Sequence, residues 1–358
     1  MMFYALCILS VTLQGGIIIG WNSIAALFPY ATTKDWAFAA GCNALSATVS
    51  SLALSKGFSS KTGVLIGTML TSSGIALLAV APETMFRVAC VLIAAGGPAH
   101  HTSMLWSAIQ DNEHIRVTVI SLINCGFETS ALMFHCVNLM THVTDLQTVL
   151  IGFALLTAFL GCMVYLFYPI RPTIQHVQVY ELMPTNCCVS AVVFIAWFMA
   201  CSQCLQSYIA SVSTRAPDAV STFDVILAFG WVCMPIVSWC ISTLDDTTNM
   251  CLVLSVMATS LQISSWPGVV LVSLGRYMLY TILFIATHRL YGADMAGNVL
   301  ASSFTGSAVL SLSQSVIHVP YIPDNVLAIA TPFAVAIIPF FVKYIPLSSI
   351  YTLYQSEI

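Results

Sequence analysis

Long apolar runs separated by short polar breaks dominate the chain. The first extends from about Phe3 to Phe28, and others follow near 36–55, 63–81, 85–109, 117–141 and 147–168. A polar connector at 170–186 interrupts the series, which resumes near 188–211, 222–243, 249–265, 267–289, 294–317 and 325–345. An α-helix rises about 1.5 Å per residue and a hydrocarbon core is about 30 Å thick, so runs of this length predict membrane-spanning helices. No segment shows the strand-like alternation that a transmembrane barrel needs. Twelve spans, six on each side of the longest connector, form the pattern of paired repeats with a solute site between them. The expected architecture is an all-α membrane protein of twelve transmembrane helices in two six-helix pseudo-repeats. Its parts are a bundle over 1–169, a cytosolic connector over 170–186 and a second bundle over 187–358.

Composition agrees with that pattern. Charged residues make up 7% of the chain and hydrophobic residues 59%, against about 25% charged in ordinary soluble domains. The apolar start is expected to be a first span and no signal peptide, because no Lys or Arg precedes it in this sequence and it outlasts a signal core. The 13 Cys are scattered through the spans, apart from the adjacent Cys187 and Cys188, with neither zinc spacing nor a disulfide framework. Basic residues set the orientation. With both termini cytosolic, cytosolic loops hold Lys56, Lys61, Arg116, Arg171, Arg289 and Lys343, whereas outer loops hold Lys34 and Arg215. The loops leave no room for a soluble domain, and no His-Glu-x-x-His, Gly-x-Ser-x-Gly or phosphate-binding glycine loop occurs. The chain is therefore expected to be no enzyme and to use no cofactor. Its expected partners are a small-molecule substrate and the lipid bilayer, not nucleic acid, with the protein acting as a monomer in the plasma membrane or an endomembrane.

Polar residues inside the spans are the candidate chemistry. Arg276 lies roughly 13 Å in from Pro267, near the membrane midplane. A cation there costs about 2.5–3.5 kcal/mol, so it faces a watery cavity or a partner, or else snorkels to a neighbouring helix end. Ser273, Tyr280 and Thr287 share its helix face. Glu128 lies near the centre of the fifth span, and a buried carboxylate is neutral, salt-bridged to an arginine or proton-coupled. In the first span Gln14 and Trp21 share a face, with Asn22 beside them and Gly15, Gly16 and Gly20 around them. Those glycines serve close helix packing or a local break. In the fourth span Pro98 disturbs the helix, and Gly97, His100 and Met104 share the face expected to meet the cavity. Neighbouring His100 and His101 point about 100° apart and no third ligand is evident, which argues against a metal site. In the seventh span Gln203, Gln206 and Ser207 form one stripe, suited to a ligand or to gluing helices. The substrate-binding set expected from sequence is Gln14, Trp21, Asn22, Gly97, His100, Glu128, Gln203, Arg276 and Tyr280.

Several short motifs are spread across both halves: Gly20-Trp21, Gly96-Gly97-Pro98, Ser130-Ala131-Leu132-x-Phe134, Arg276 followed by aromatics, and Leu290-Tyr291-Gly292 leading to a small-residue span that ends at Gln314. Together they resemble solute carrier family 43, the large-neutral-amino-acid facilitators of the major facilitator superfamily. The resemblance implies twelve spans, alternating access and uncoupled movement of neutral amino acids, with nucleobases in some members. The chain departs from the superfamily pattern between spans two and three. There Lys56-Gly57-Phe58-Ser59-Ser60-Lys61 keeps the basic end of Gly-x-x-x-Asp-Arg-x-Gly-Arg-Arg but lacks its Asp. The resulting expectation is a facilitator that moves a small solute, a neutral amino acid first, through a cavity lined by spans one, four, seven and ten. The alternatives are a nucleobase or other small-metabolite carrier of the same fold, and a transporter-like sensor or scaffold that does not transport.

Overall fold

The structure is a computed structural model that describes residues 2–14, 20–109, 113–169, 185–215, 219, 222–263 and 265–316. It is all-helical, and eight of the described helices are long and apolar enough to cross a membrane. The first span consists of Met2–Gln14 and Trp21–Leu27, followed by Thr33–Ser55, Ser60–Val80 and Pro82–Ile109 as spans two to four. The fifth comprises Glu113–Thr129 and Ala131–Met140, and the sixth is Leu146–Leu166. Span seven is Thr185–Arg215, which begins inside the stretch expected as connector. The eighth is Phe223–Ala228 and Met234–Thr243 joined by a 3₁₀ turn at Phe229–Cys233, and the ninth is Asp246–Gln262. Spans ten and eleven lie within Trp266–Val316, broken at Gly292, whose φ of 67° and ψ of 176° belong to a region that side chains with a Cβ avoid. The expected twelfth span at 325–345 and connector residues 170–184 lie outside the described residues, as do Gly15 and Gly16.

Side-chain oxygens fix several of these helix starts. Thr32 and Asp35 form a reciprocal capping box at the second span. Asp145 caps the sixth by accepting hydrogen bonds from the Thr148 backbone N–H (2.8 Å) and hydroxyl (2.9 Å), and these hold its carboxyl below the usual carboxylate range. Arg87, which the sequence leaves within a span, reaches Asp35 at 2.7 Å with its side chain 74% exposed. An ion pair that wet contributes little. The departure loop between spans two and three turns at Gly57 (φ 86°), and Lys61 settles 4.5 Å above the Tyr165 ring.

Polarity is distributed for a lipid solvent. Large apolar side chains such as Leu155, Phe159, Val192 and Trp239 are exposed, whereas Gln14, His100, Asn124, Glu128 and Arg276 are buried between helices. The chain is an integral, multi-pass membrane protein. Lipid tails are as apolar as leucine, so the helices gain from close approach more than from apolar burial. Spans three and four show this most clearly. A Cβ built on Gly67 meets the His100 backbone nitrogen at 2.5 Å and the Gly96 carbonyl oxygen at 2.7 Å. The fourth helix continues through Pro98, and Ser46 of span two donates to the Ala95 carbonyl in the same turn (2.5 Å). Spans two and eleven also run together, with the Thr48 hydroxyl directed at the Ala301 carbonyl and Thr305 (both 3.3 Å).

Gly67→Ala is expected to destabilise the protein by about 1–3 kcal/mol through overpacking, read as a lower unfolding midpoint in detergent. Gly152→Ala, where an added Cβ meets nothing within 4 Å and Ala is the better helix former, is the control expected not to lower the midpoint.

Candidate functional site

Arg276 of span ten and Glu128 of span five meet at 2.6 Å between Nη1 and Oε2, with side chains 4% and 1% exposed. The sequence left Glu128 with three fates, and the geometry selects the ion pair. The contact is close but off the hydrogen-bonding axis, so neither atom has an aligned hydrogen-bond partner among the described residues. At 2.6 Å and an effective dielectric constant near 20 the attraction is roughly 6 kcal/mol, comparable with a desolvation cost of several kcal/mol per ion. The pair therefore adds little net stability, while either charge alone in that place is costly. Tyr280, one turn on, presents its ring 5.6 Å from the guanidinium carbon and adds a cation–π attraction.

Arg276 and Tyr280 line a cavity with about 70 Å³ open to the centres of water molecules. That is room for about five waters, on the order of 150 Å³ of liquid, the scale of a small metabolite. Its walls come from spans two, four, five, seven, ten and eleven. Phe127, Phe198, Phe284 and Phe304 supply apolar surface, Asn43, Gln206, Ser202 and Ser307 supply neutral polar groups, and Arg276 is the permanent charge on the wall. Among the described residues no cluster could hold a metal ion.

The expected residues divide between this cavity and the bundle interior. Arg276 and Tyr280 are on the wall, with Glu128 paired to the guanidinium. In the fourth span the cavity face is one residue away from the expected one. Pro98, His101 and Thr102 line it, whereas Gly97 and Met104 do not and His100 faces spans one and three. There His100 contacts the Ser10 hydroxyl and the Thr68 hydroxyl (each 3.2 Å), and Gln14 donates to Ser10 (3.1 Å) and Thr68 (3.2 Å). Gln14 and His100 thus bind helices together away from the cavity. The cause is the tight Gly67–Gly96 approach, which turns His100 toward span three and leaves His101 to face span five. Trp21 packs against Phe86 (6.4 Å between rings) and does not reach the cavity, and the Asn22 side chain lies outside the described ones. No described side chain of span one is on the wall, residues 15–19 and the Asn22 side chain lying outside the described ones, and spans two, five and eleven take part as well. Gln203 donates to Ser207 (3.4 Å) within its own helix and is off the wall, while Gln206 is on it. The expected stripe on span ten also splits, because Ser273 donates to the Ile226 and Leu227 carbonyls of span eight and Thr287 to Leu283 of its own helix.

Sequence reasoning missed three residues that the structure makes prominent. His101 is stacked on Phe127 (4.2 Å, 12°) and hydrogen-bonded through Nε2 to the Asn124 Oδ1 at 3.0 Å, so its ring is held in place on the wall. Asn124 also directs its amide at the Thr281 hydroxyl of span ten (3.5 Å). Asp224, at the start of span eight, accepts from the Ser23 N–H (2.8 Å) and hydroxyl (2.5 Å) and ties spans one and eight together while 3% exposed. An acidic residue just inside an apolar run was the available signal.

No protein-family model matches the sequence, and no curated protein does. Solved structures do match. The E. coli fucose:proton symporter is similar with a TM-score of 0.60 at 15% identity, over 96% of this chain and 98% of that one. A POT family transporter in complex with a thioalcohol-conjugated peptide is similar with a TM-score of 0.68 at 11% identity, over 96% of each chain. A POT family transporter in complex with 5-aminolevulinic acid is similar with a TM-score of 0.68 at 10% identity, over 96% of each. At these identities the likeness shows the fold alone, the one these transporters share, and does not extend to the solute carrier family 43 branch.

Glu128→Gln, which strands the Arg276 charge, is expected to cost about 3–5 kcal/mol of stability. Adding Arg276→Gln should recover most of that loss, a coupling that a double-mutant cycle on unfolding midpoints measures directly. Additive losses would show that the two side chains are not coupled.

Proposed function

We propose that the chain is a carrier that moves a small carboxylate-bearing solute, a neutral amino acid in the first instance, across its membrane by alternating exposure of the central cavity. The observation that carries this reading is Arg276, a buried guanidinium on the wall of a solute-sized cavity, held by Glu128 from the other half of the chain. A guanidinium offers paired donors to a planar carboxylate. Glu128 stands in for that carboxylate when the site is empty. The cation suits an acid better than a neutral nucleobase. Phenylalanine rings on the same wall suit an apolar side chain. The structural neighbours support transport as the task, since they are named as a symporter and as transporters.

Ser23 with Asp224 and Thr48 with Ala301 place hydrogen bonds between early and late spans. Movement between two arrangements needs contacts of this modest strength, about 0.5–3 kcal/mol each, since stronger ones would lock one state.

Uptake of a panel of labelled neutral amino acids into proteoliposomes, with and without a pH gradient, tests the assignment. Accumulation of at least one of them is expected. Arg276→Lys, at matched incorporation, should lower uptake by more than about tenfold, because one charge-assisted hydrogen bond is worth about 1.5–3 kcal/mol. Near-normal uptake by Arg276→Lys, or a preferred solute without an acidic group, returns Arg276 to a structural role.

A further inference from the structure

Gln206 of span seven lies on the cavity wall and is 8% exposed. Its Nε2 donates to the Ser311 hydroxyl at 2.9 Å and, more weakly, to the Ser307 hydroxyl at 3.4 Å, both on span eleven. The Ser311 hydroxyl gives its single hydrogen to the Ser307 carbonyl (3.0 Å). It can therefore only accept from Gln206, and this fixes which end of the amide faces span eleven. The other end, Oε1, is buried with no hydrogen-bond partner among the described residues. A buried amide oxygen left unpaired costs about 1–3 kcal/mol, and the residue that carries it lines the solute cavity.

Two residues of the cavity wall are therefore set for a polar solute: Arg276, whose guanidinium is held by Glu128, and Gln206, whose amide oxygen lacks a donor among the described residues. No acidic side chain lines the described wall, and Glu128 is engaged by Arg276. We propose that Gln206 Oε1 accepts a hydrogen bond from the substrate's ammonium group, and so selects α-amino acids over the corresponding simple acids. The Ser202–Ser307 hydroxyl pair (2.9 Å) lies on the same wall and supplies further oxygen near Gln206. A neutral acceptor recognises the ammonium without placing a second carboxylate in the cavity, where it would compete with the substrate for Arg276. This inference rests on the carboxylate-carrier reading and adds the second pole of the solute.

The test compares uptake of leucine and of isocaproate, which is leucine's skeleton without the amino group, by the full chain in proteoliposomes. The wild-type protein is expected to prefer leucine by at least about tenfold, the worth of one hydrogen bond to a charged group. Gln206→Leu and the near-isosteric Gln206→Met, which both lack the amide oxygen, should keep isocaproate uptake and lose the preference. Retained isocaproate uptake also shows that the Leu variant is folded. An unchanged preference in Gln206→Leu overturns the proposal and leaves the role of Arg276 standing. Loss of both ligands in Gln206→Leu and in Gln206→Met alike gives Gln206 a purely structural role and also overturns it. A wild-type protein that takes up neither ligand overturns the carboxylate-carrier reading, and this inference with it.

Discussion

Neither a guanidinium nor a carboxylate is tolerable alone at the centre of a membrane bundle, and the meeting of Arg276 with Glu128 removes both penalties at once. The two residues come from spans ten and five, so charge neutrality obliges early and late parts of the chain to stay together at the level of the cavity. Attraction and desolvation nearly cancel, which makes the pair a poor source of stability. It can serve as an exchange site, because a zwitterionic solute that takes the place of Glu128 at Arg276 brings no net charge into the cavity. In the proposed reading the solute performs that exchange.

The rest of the site serves this pair. Spans three and four approach closely enough at Gly67 and Gly96 to form a firm platform. That packing commits His100 and Gln14 to the platform and presents Pro98, His101 and Thr102 to the cavity. Phe127 and Asn124 then fix the His101 ring by stacking and a hydrogen bond. Tyr280 faces the guanidinium on one side, and its ring meets Phe198 edge-on (6.3 Å) on another, which connects Arg276 to the aromatic wall.

Much of this was legible in the sequence because a bilayer imposes simple rules. Apolar runs of the right length located the spans, with helix ends differing from the described ones by a few residues in most cases, and the cost of a mid-membrane charge singled out Arg276 and Glu128. What failed was the choice between neighbours on one helix. His100 against His101, and Gln203 against Gln206, differ by a rotation of the helix about its axis, which neighbouring helices set and periodicity does not. Trp21 looked functional beside its glycines but is consumed by packing on Phe86. Asp224 escaped notice because an acid at the edge of an apolar run resembles an ordinary helix start, whereas here it clasps Ser23 from a span 201 residues earlier in the chain.

The account rests on a carboxylate binding Arg276. Calorimetric titration of the purified protein with leucine and with leucinamide, which keeps the ammonium and side chain but lacks the carboxylate, measures this directly. The account predicts that leucine binds and that leucinamide binds at least about tenfold more weakly, since it forfeits the charge-assisted pair. Equal affinity, or tighter binding of leucinamide, would contradict it.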